Sequence, residues 1–364
     1  MATVDQFIAK FGSHSIYMER LAAQLGNQAV PYLDEIDREI TKLFNNLPKR
    51  NLSKSQQSEI RRKVREITNE NISLMISEMQ SDHKELGYNE AKFMDKTINA
   101  EIESDINTTI PSAAQVNLAA KEAIIHVGGG SYTTYTKMFS DYKRGVAERI
   151  DGVVLNGFVN GQTNREIADL VLQDLPSTIK NAESKARTIA RTGTNHYATQ
   201  ARLAYEQEND KVIVGWRSIA TLDSRTSQQC ASLDGVVMKK TDANWRNFVC
   251  PRHPNCRSAL VPEIDGRLKY DDSDAQRPTN FKVDGKKDPK RVNSKRSYYD
   301  ELSKLSARDQ DAVLGPTLGK AFRKLDDPDA FARQTINQAT FEPLTIKEME
   351  KKNNELGKIL QKYK

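Results

Sequence analysis

The chain has 364 residues, of which 37% are hydrophobic and 29% charged, with a mean hydropathy of -0.68. This excludes a disulfide miniprotein or a lone binding motif, since roughly 100 to 200 residues per domain leaves room for two or three domains. No stretch nears the roughly 20 apolar residues of a membrane-spanning helix, so no membrane association is expected. The formal net charge is +6, and 22 basic against 16 acidic residues from Gly266 to Lys364 account for all of it.

The opening Met1-Ala2-Thr3-Val4-Asp5 lacks a basic flank followed by an apolar block. The expectation is synthesis in a cytoplasm without a secretory leader. Residues 1–110 read as amphipathic helices forming a hairpin or small bundle. Leu33, Ile36, Ile40, Leu43 and Leu47 line one face of a helix beginning after Pro31. Ser53 with Gln56 is a capping box, and Ile60, Val64, Ile67 and Leu74 continue a second stripe.

Between 111 and 135 the period lapses. Gly128-Gly129-Gly130-Ser131 lacks the Gly-Lys-Ser/Thr of a phosphate loop and reads as a hinge. Residues 136–265 read as an α+β core. Thr163 with Glu166 caps a helix that Pro176 should end, and a second helix follows over 178–208. That helix has a small-sided face: Ala182, Ala186, Ala190, Gly193 and Ala201. Alternation over 211–219 predicts the best strand, with shorter ones at 236–238 and 258–261, hence a small antiparallel sheet.

Residues 266–297 read as a basic linker. Lys282, Lys286, Lys287, Lys290, Arg291, Lys295 and Arg296 are opposed by Asp284 and Asp288 alone. Such a run either stays solvated and extended or releases counterions from a phosphate backbone. Helices return over 298–364, opened by Ser306 with Asp309 and by Thr345 with Glu348, with a break at Gly315-Pro316. The fold class expected is α+β and predominantly helical: an N-terminal helical bundle, a small α+β core with an antiparallel sheet, and C-terminal helices.

All three cysteines, Cys230, Cys250 and Cys256, fall within 27 residues, and His253 lies among them. Cys250-x-x-His253-x-x-Cys256 with Cys230 suits a closed tetrahedral Zn2+ site, which stabilises a thin core and leaves no open position for a substrate water. The alternative is three small buried thiols in a reducing cytoplasm, with His253 held by a backbone carbonyl. Trp216 precedes the turn Asp223-Ser224-Arg225-Thr226, where Asp223 braces the loop through Arg225 or Arg257 and Thr226 caps the helix carrying Cys230. Thr192, Asn195 and Thr199 lie within a turn of one another and can bond across to that turn.

These residues carry a resemblance. Ile189-Ala190-Arg191-Thr192-x-x-Asn195, then Trp216, then Asp223-x-Arg225-Thr226-x-x-x-Cys230-x-x-Leu233-x-Gly235, and finally His253-Pro254-x-Cys256-Arg257 resemble the phage Mu protein F-like minor head proteins in order and spacing. His14 to Leu21 resembles the start of many minor head proteins, and Tyr299 to Met349 the family's usual ending. Two departures stand out: Ser227 and Ser258 occupy positions where the family often has cysteine, and Cys250 one where it often has proline.

The resemblance implies a non-enzymatic minor capsid or head morphogenesis protein of a tailed phage. It would sit inside the head near the portal vertex and contact the portal protein, a major capsid or scaffolding protein, or packaged DNA. The rival readings are a metal-dependent DNA-acting hydrolase or nuclease and a non-catalytic DNA-binding internal virion protein.

Overall fold

The computed structural model describes residues 5–102, 106–161, 163–266, 275–352 and 354–362. It is 65% helical with small sheets, the predominantly helical α+β class expected. The long helices are α1 (Asp5–Asn45), α2 (Lys54–Glu101), α4 (Tyr135–Asn160) and α5 (Asn164–Glu208), with α3 (Ala113–Glu122), β1 (Ile124–Gly128) and β2 (Ser131–Thr134) between the second and third of these. Ser53 with Gln56 and Thr163 with Glu166 form reciprocal capping boxes that start α2 and α5. Each satisfies two backbone N–H groups that a helix start leaves unpaired.

The helices α1, α2, α4 and α5 pack together around Leu33, Ile36, Ile40, Val64, Val146, Ile150 and Val171. Two prolines behave otherwise than expected. Pro31 lies inside α1 and Pro176 inside α5, because both sit on the exposed side, where water can take the freed carbonyl while the buried stripe continues beneath. Ser177 and Thr178 donate to the Asp174 carbonyl over the same turn. The stripe of α2 also runs in another phase, Ile60, Val64, Thr68, Ile72, Met75 and Met79. Leu74 is 54% exposed.

The stretch expected as a hinge is ordered secondary structure. Ser112 and Gln115 form a capping box on α3, and Gly128, Gly129 and Gly130 all take positive φ to turn the β1–β2 hairpin. Three successive left-handed residues need glycine.

After α5 come β3 (Ile213–Ile219), β4 (Leu222–Asp223), α6 (Gln228–Ser232), β5 (Val237–Met238), α7 (Trp245–Phe248) and β6 (Ala259–Ile264). Strand β3 lies between β5 and β6, antiparallel to both. A register shift between Ile213 and Gly215 exposes Val214 while Trp216 stays buried, so the strict alternation read from the sequence is broken by a bulge. Phe7 and Phe11 of α1 and Met94 and Ile98 of α2 share a core with Trp216, Leu260 and the three cysteines.

The basic segment is β-structure instead of an extended linker. Strands β7 (Gln276–Asn280), β8 (Lys282–Val283), β9 (Lys286–Lys287) and β10 (Lys290–Asn293) follow β6. The β8–β9 pair is a hairpin, and β10 pairs antiparallel and β4 parallel with β7. Asp284 and Gly285 both take positive φ at the hairpin turn. Helices α8 (Tyr298–Ser303), α9 (Ala307–Leu314), α10 (Pro316–Leu325), α11 (Pro328–Gln334), α12 (Ile346–Lys351) and α13 (Glu355–Gln361) complete the chain. They enclose Tyr299, Leu302, Phe322, Phe331 and Met349. The break at Gly315, with φ of 79°, occurs as expected, whereas the last helix divides where Asn354 caps α13. Among the described residues no helix is long and apolar enough to cross a membrane.

Candidate metal centre and the turn that frames it

Strand β3 delivers Trp216 to the interior at 0% exposure, its indole N–H donating to Glu206 of α5 at 2.6 Å. The chain then turns at Asp223. Its carboxylate accepts the Arg225 backbone N–H at 2.9 Å and both Nη groups of Arg257 at 2.6 and 2.7 Å. Burial opposes ionisation of Asp223, but the Arg257 guanidinium outweighs it and holds the carboxyl below its ordinary range. The same guanidinium reaches Glu19 of α1 at 3.5 Å, and Thr221 donates to Glu19 at 3.2 Å. The turn thereby joins the first helix to the α+β core. Arg225 itself points outward, 3.4 Å from Asp223.

Thr226 is not the cap. Its hydroxyl donates back to the Thr221 carbonyl, and Ser227 caps α6 by accepting the Cys230 N–H at 3.3 Å. The difference is one residue, because Thr226 is held inside the Asp223 turn and is not free to lead the helix. Gly235 has φ of 84°, and its N–H donates to Ser218 at 2.8 Å, which closes the α6–β5 connection.

The α5 motif holds the next loop rather than the Asp223 turn. Asn195 donates to the carbonyls of Cys256 and Ser258 at 3.0 and 2.9 Å, and Thr192 Oγ1 accepts the Asn255 N–H at 3.2 Å. These bonds fix the strand-like entry to β6 against the helix. Arg191 is exposed and lines a cleft of about 470 Å³ with Arg20, Arg225, Arg257 and Glu19.

Within this frame the sulfur and imidazole groups meet. Cys230 Sγ lies 3.3 Å from His253 Nε2 and 3.7 Å from Cys256 Sγ, and the three donor atoms are all within 4.8 Å of one another. His253 Nδ1 is 2.9 Å from the Pro254 carbonyl, and the Ser227 hydroxyl is 2.8 Å from Nε2. Cys250 lies beside Cys256 but outside the mutual set. All three thiols are free and buried. Hydrogen bonding to Cys256 and burial push the Cys230 thiol up to about 11.

Sequence reasoning missed several buried charges around this centre. Arg252 is 2% exposed. Arg202 pairs with Glu90 of α2 at 2.6 Å and donates to the Leu260 carbonyl at 2.9 Å. Arg277 pairs with Asp234 at 3.0 Å. Each carboxylate lies more than 40 residues from its arginine, beyond any local spacing signal. Of the basic segment, Lys282, Lys286, Lys287, Lys290 and Arg291 are exposed. Lys295 pairs with Asp5 at 3.1 Å and Arg296 with Glu301 at 3.1 Å, so the last two charges neutralise buried carboxylates while staying exposed themselves.

Residues 148–261 match the family described as Phage Mu protein F like protein. The span opens in α4 and closes in β6, taking in the α5 clamp, the Asp223 turn and the cysteine cluster. No curated protein and no solved structure matches the chain.

Proposed function

We propose, from the Mu protein F-like character of residues 148–261, that this chain is a minor head protein of a tailed phage, working beside the portal during head assembly or DNA delivery. The observation that carries the reading is the coincidence of that segment with the knot from Arg191 to Arg257. Three of its key side chains are spent on internal partners: Asp223 on Arg257, Asn195 on the 256–258 carbonyls, Trp216 on Glu206. A brace of this kind gives a rigid body for docking and performs no turnover.

The long helices α1 and α2 are anchored to this body through Glu19 and Glu90 and offer extended polar surfaces to other head proteins. The exposed lysines of the β8–β9 hairpin favour contact with DNA or with an acidic portal surface. Coexpression with the cognate portal protein tests the reading. The expected result is co-purification that Asp223→Ala weakens; a portal and head that form and fill with DNA equally well without this chain would overturn it. Release of nucleotides from DNA by the purified chain would favour the nuclease alternative.

A further inference from the structure

We propose that Cys230, Cys250, His253 and Cys256 bind one structural zinc ion, and that the buried guanidinium of Arg252 is the counter-charge of that site. The inference is independent of the head-protein reading and rests on three observations about the donors and their surroundings.

The first is distance. With Zn–S of about 2.3 Å and Zn–N of about 2.0 Å, an ideal tetrahedron has S···S and S···N edges of about 3.8 and 3.5 Å. Cys230 and Cys256 stand 3.7 Å apart, and Cys230 and His253 Nε2 stand 3.3 Å apart. Both separations match tetrahedral edges and also fall in the range of thiol hydrogen bonds, so the imidazole orientation and the charge decide between the two.

The second is the tautomer. The His253 Nδ1–H donates to the Pro254 carbonyl, which presents Nε2 to Cys230 Sγ at 3.3 Å, the orientation a ligating histidine takes from its outer partner. The Ser227 O–H points at the same nitrogen and is the group a metal would displace. Cys250 hydrogen-bonds Cys256 but stands outside the three donors that lie within 4.8 Å of one another, so it becomes the fourth ligand by a turn of its side chain when metal binds. A set of three thiolates and one imidazole selects zinc over magnesium or calcium.

The third is charge. Arg252 donates Nε–H to the Phe248 carbonyl at 2.8 Å and Nη2–H to the Ser218 hydroxyl at 3.0 Å, and its Nη1 lies 3.9 Å from Cys230 Sγ. Among the described residues no carboxylate pairs with it. A guanidinium stays charged in proteins, and a buried charge without a partner is costly. Three thiolates, Zn2+ and a neutral imidazole sum to one negative charge, which Arg252 cancels. Three protonated thiols would leave it unbalanced.

The test uses the full chain produced in zinc-supplemented medium. Elemental analysis should find about one zinc per chain. Cobalt(II) exchange should give tetrahedral visible bands with thiolate charge-transfer absorption, reduced by about a third in Cys250→Ser. Competition with a chromophoric chelator should show Arg252→Met weakening zinc at least about ten-fold, and Arg252→Lys should recover most of that loss. Zinc-free protein with no cobalt spectrum would overturn the site. Unchanged charge transfer in Cys250→Ser would remove that ligand, and equal weakening by Met and Lys would remove the charge role of Arg252.

Discussion

The imidazole of His83 on α2 lies on the bare Cα of Gly193 on α5: a Cβ there would overlap Cε1 and stand 2.9 Å from Nδ1. The ring cannot simply retreat. Its Nδ1 faces the Tyr135 hydroxyl at 2.8 Å and its Nε2 the Ala190 carbonyl at 3.2 Å. Gly193→Ala should therefore lose about 1 to 3 kcal/mol to overpacking, more than the roughly 1 kcal/mol that alanine gains in a helix. Thermal melting checks it, and a raised midpoint would mean that the two helices give way easily.

Acid should unfold the protein early. Burial lowers both His83 and His196 to about 4, while an unfolded chain takes up these protons near 6.5. The unfolded state then binds more protons between those values. Stability is complete above about pH 6.5 and falls as pH drops toward about 4, by about 3 kcal/mol per histidine. Urea midpoints at descending pH should trace this slope, and His196→Gln, which keeps an N–H for the Ala120 carbonyl, should halve it. A slope unchanged by that substitution would assign the loss elsewhere.

The Asp223–Arg257 pair predicts a large penalty for removing either partner alone. Both side chains are mostly buried, and truncating one leaves the other with its weaker partners, among them the Arg225 N–H for Asp223 or Glu19 for Arg257, at about 2 to 4 kcal/mol. Asp223→Asn combined with Arg257→Met should cost less than the sum of the singles. Additive losses in a double-mutant cycle would show that the pair is not coupled.

Trp216→Ala should cost about 3 to 5 kcal/mol, because a fully buried ring leaves a cavity and Glu206 keeps only Lys240 of its two partners. Trp216→Phe should lose less. Denaturant titration separates the two, and a loss under about 1 kcal/mol for alanine would contradict the burial.

The exposed lysines predict the opposite pattern. Replacing Lys282, Lys286, Lys287 and Arg291 by alanine should leave melting within about 0.5 kcal/mol per site. If the hairpin contacts phosphates, the same variant should bind DNA more weakly with a shallower salt dependence. Equal salt slopes for variant and parent would rule out that contact.

Where an interaction closes within one helical turn, the linear order of residues already reveals it. Ser53 with Gln56, Thr163 with Glu166 and Thr345 with Glu348 are capping boxes in the structure, since the two partners are three positions apart and need nothing from elsewhere. Strand β3, the small face of α5 and the convergence of cysteine and histidine were legible for the same reason: period, side-chain size and rare residue types are local quantities. The readings that changed depended on which side of an element faced the interior, on which strands paired, and, for the α6 cap, on the Asp223 turn holding Thr226. Pro31 and Pro176 persist inside helices because their sides look outward, and the lysine-rich run becomes β10 and a hairpin because β7 offers an edge to pair with. Asn195 reaches the Cys256 carbonyl, Arg257 reaches Glu19, and Arg252 is enclosed among thiols. Those pairings link positions from 22 to 238 residues apart, and a charged group's partner is set by burial and proximity in the folded chain, which no spacing rule along it can express.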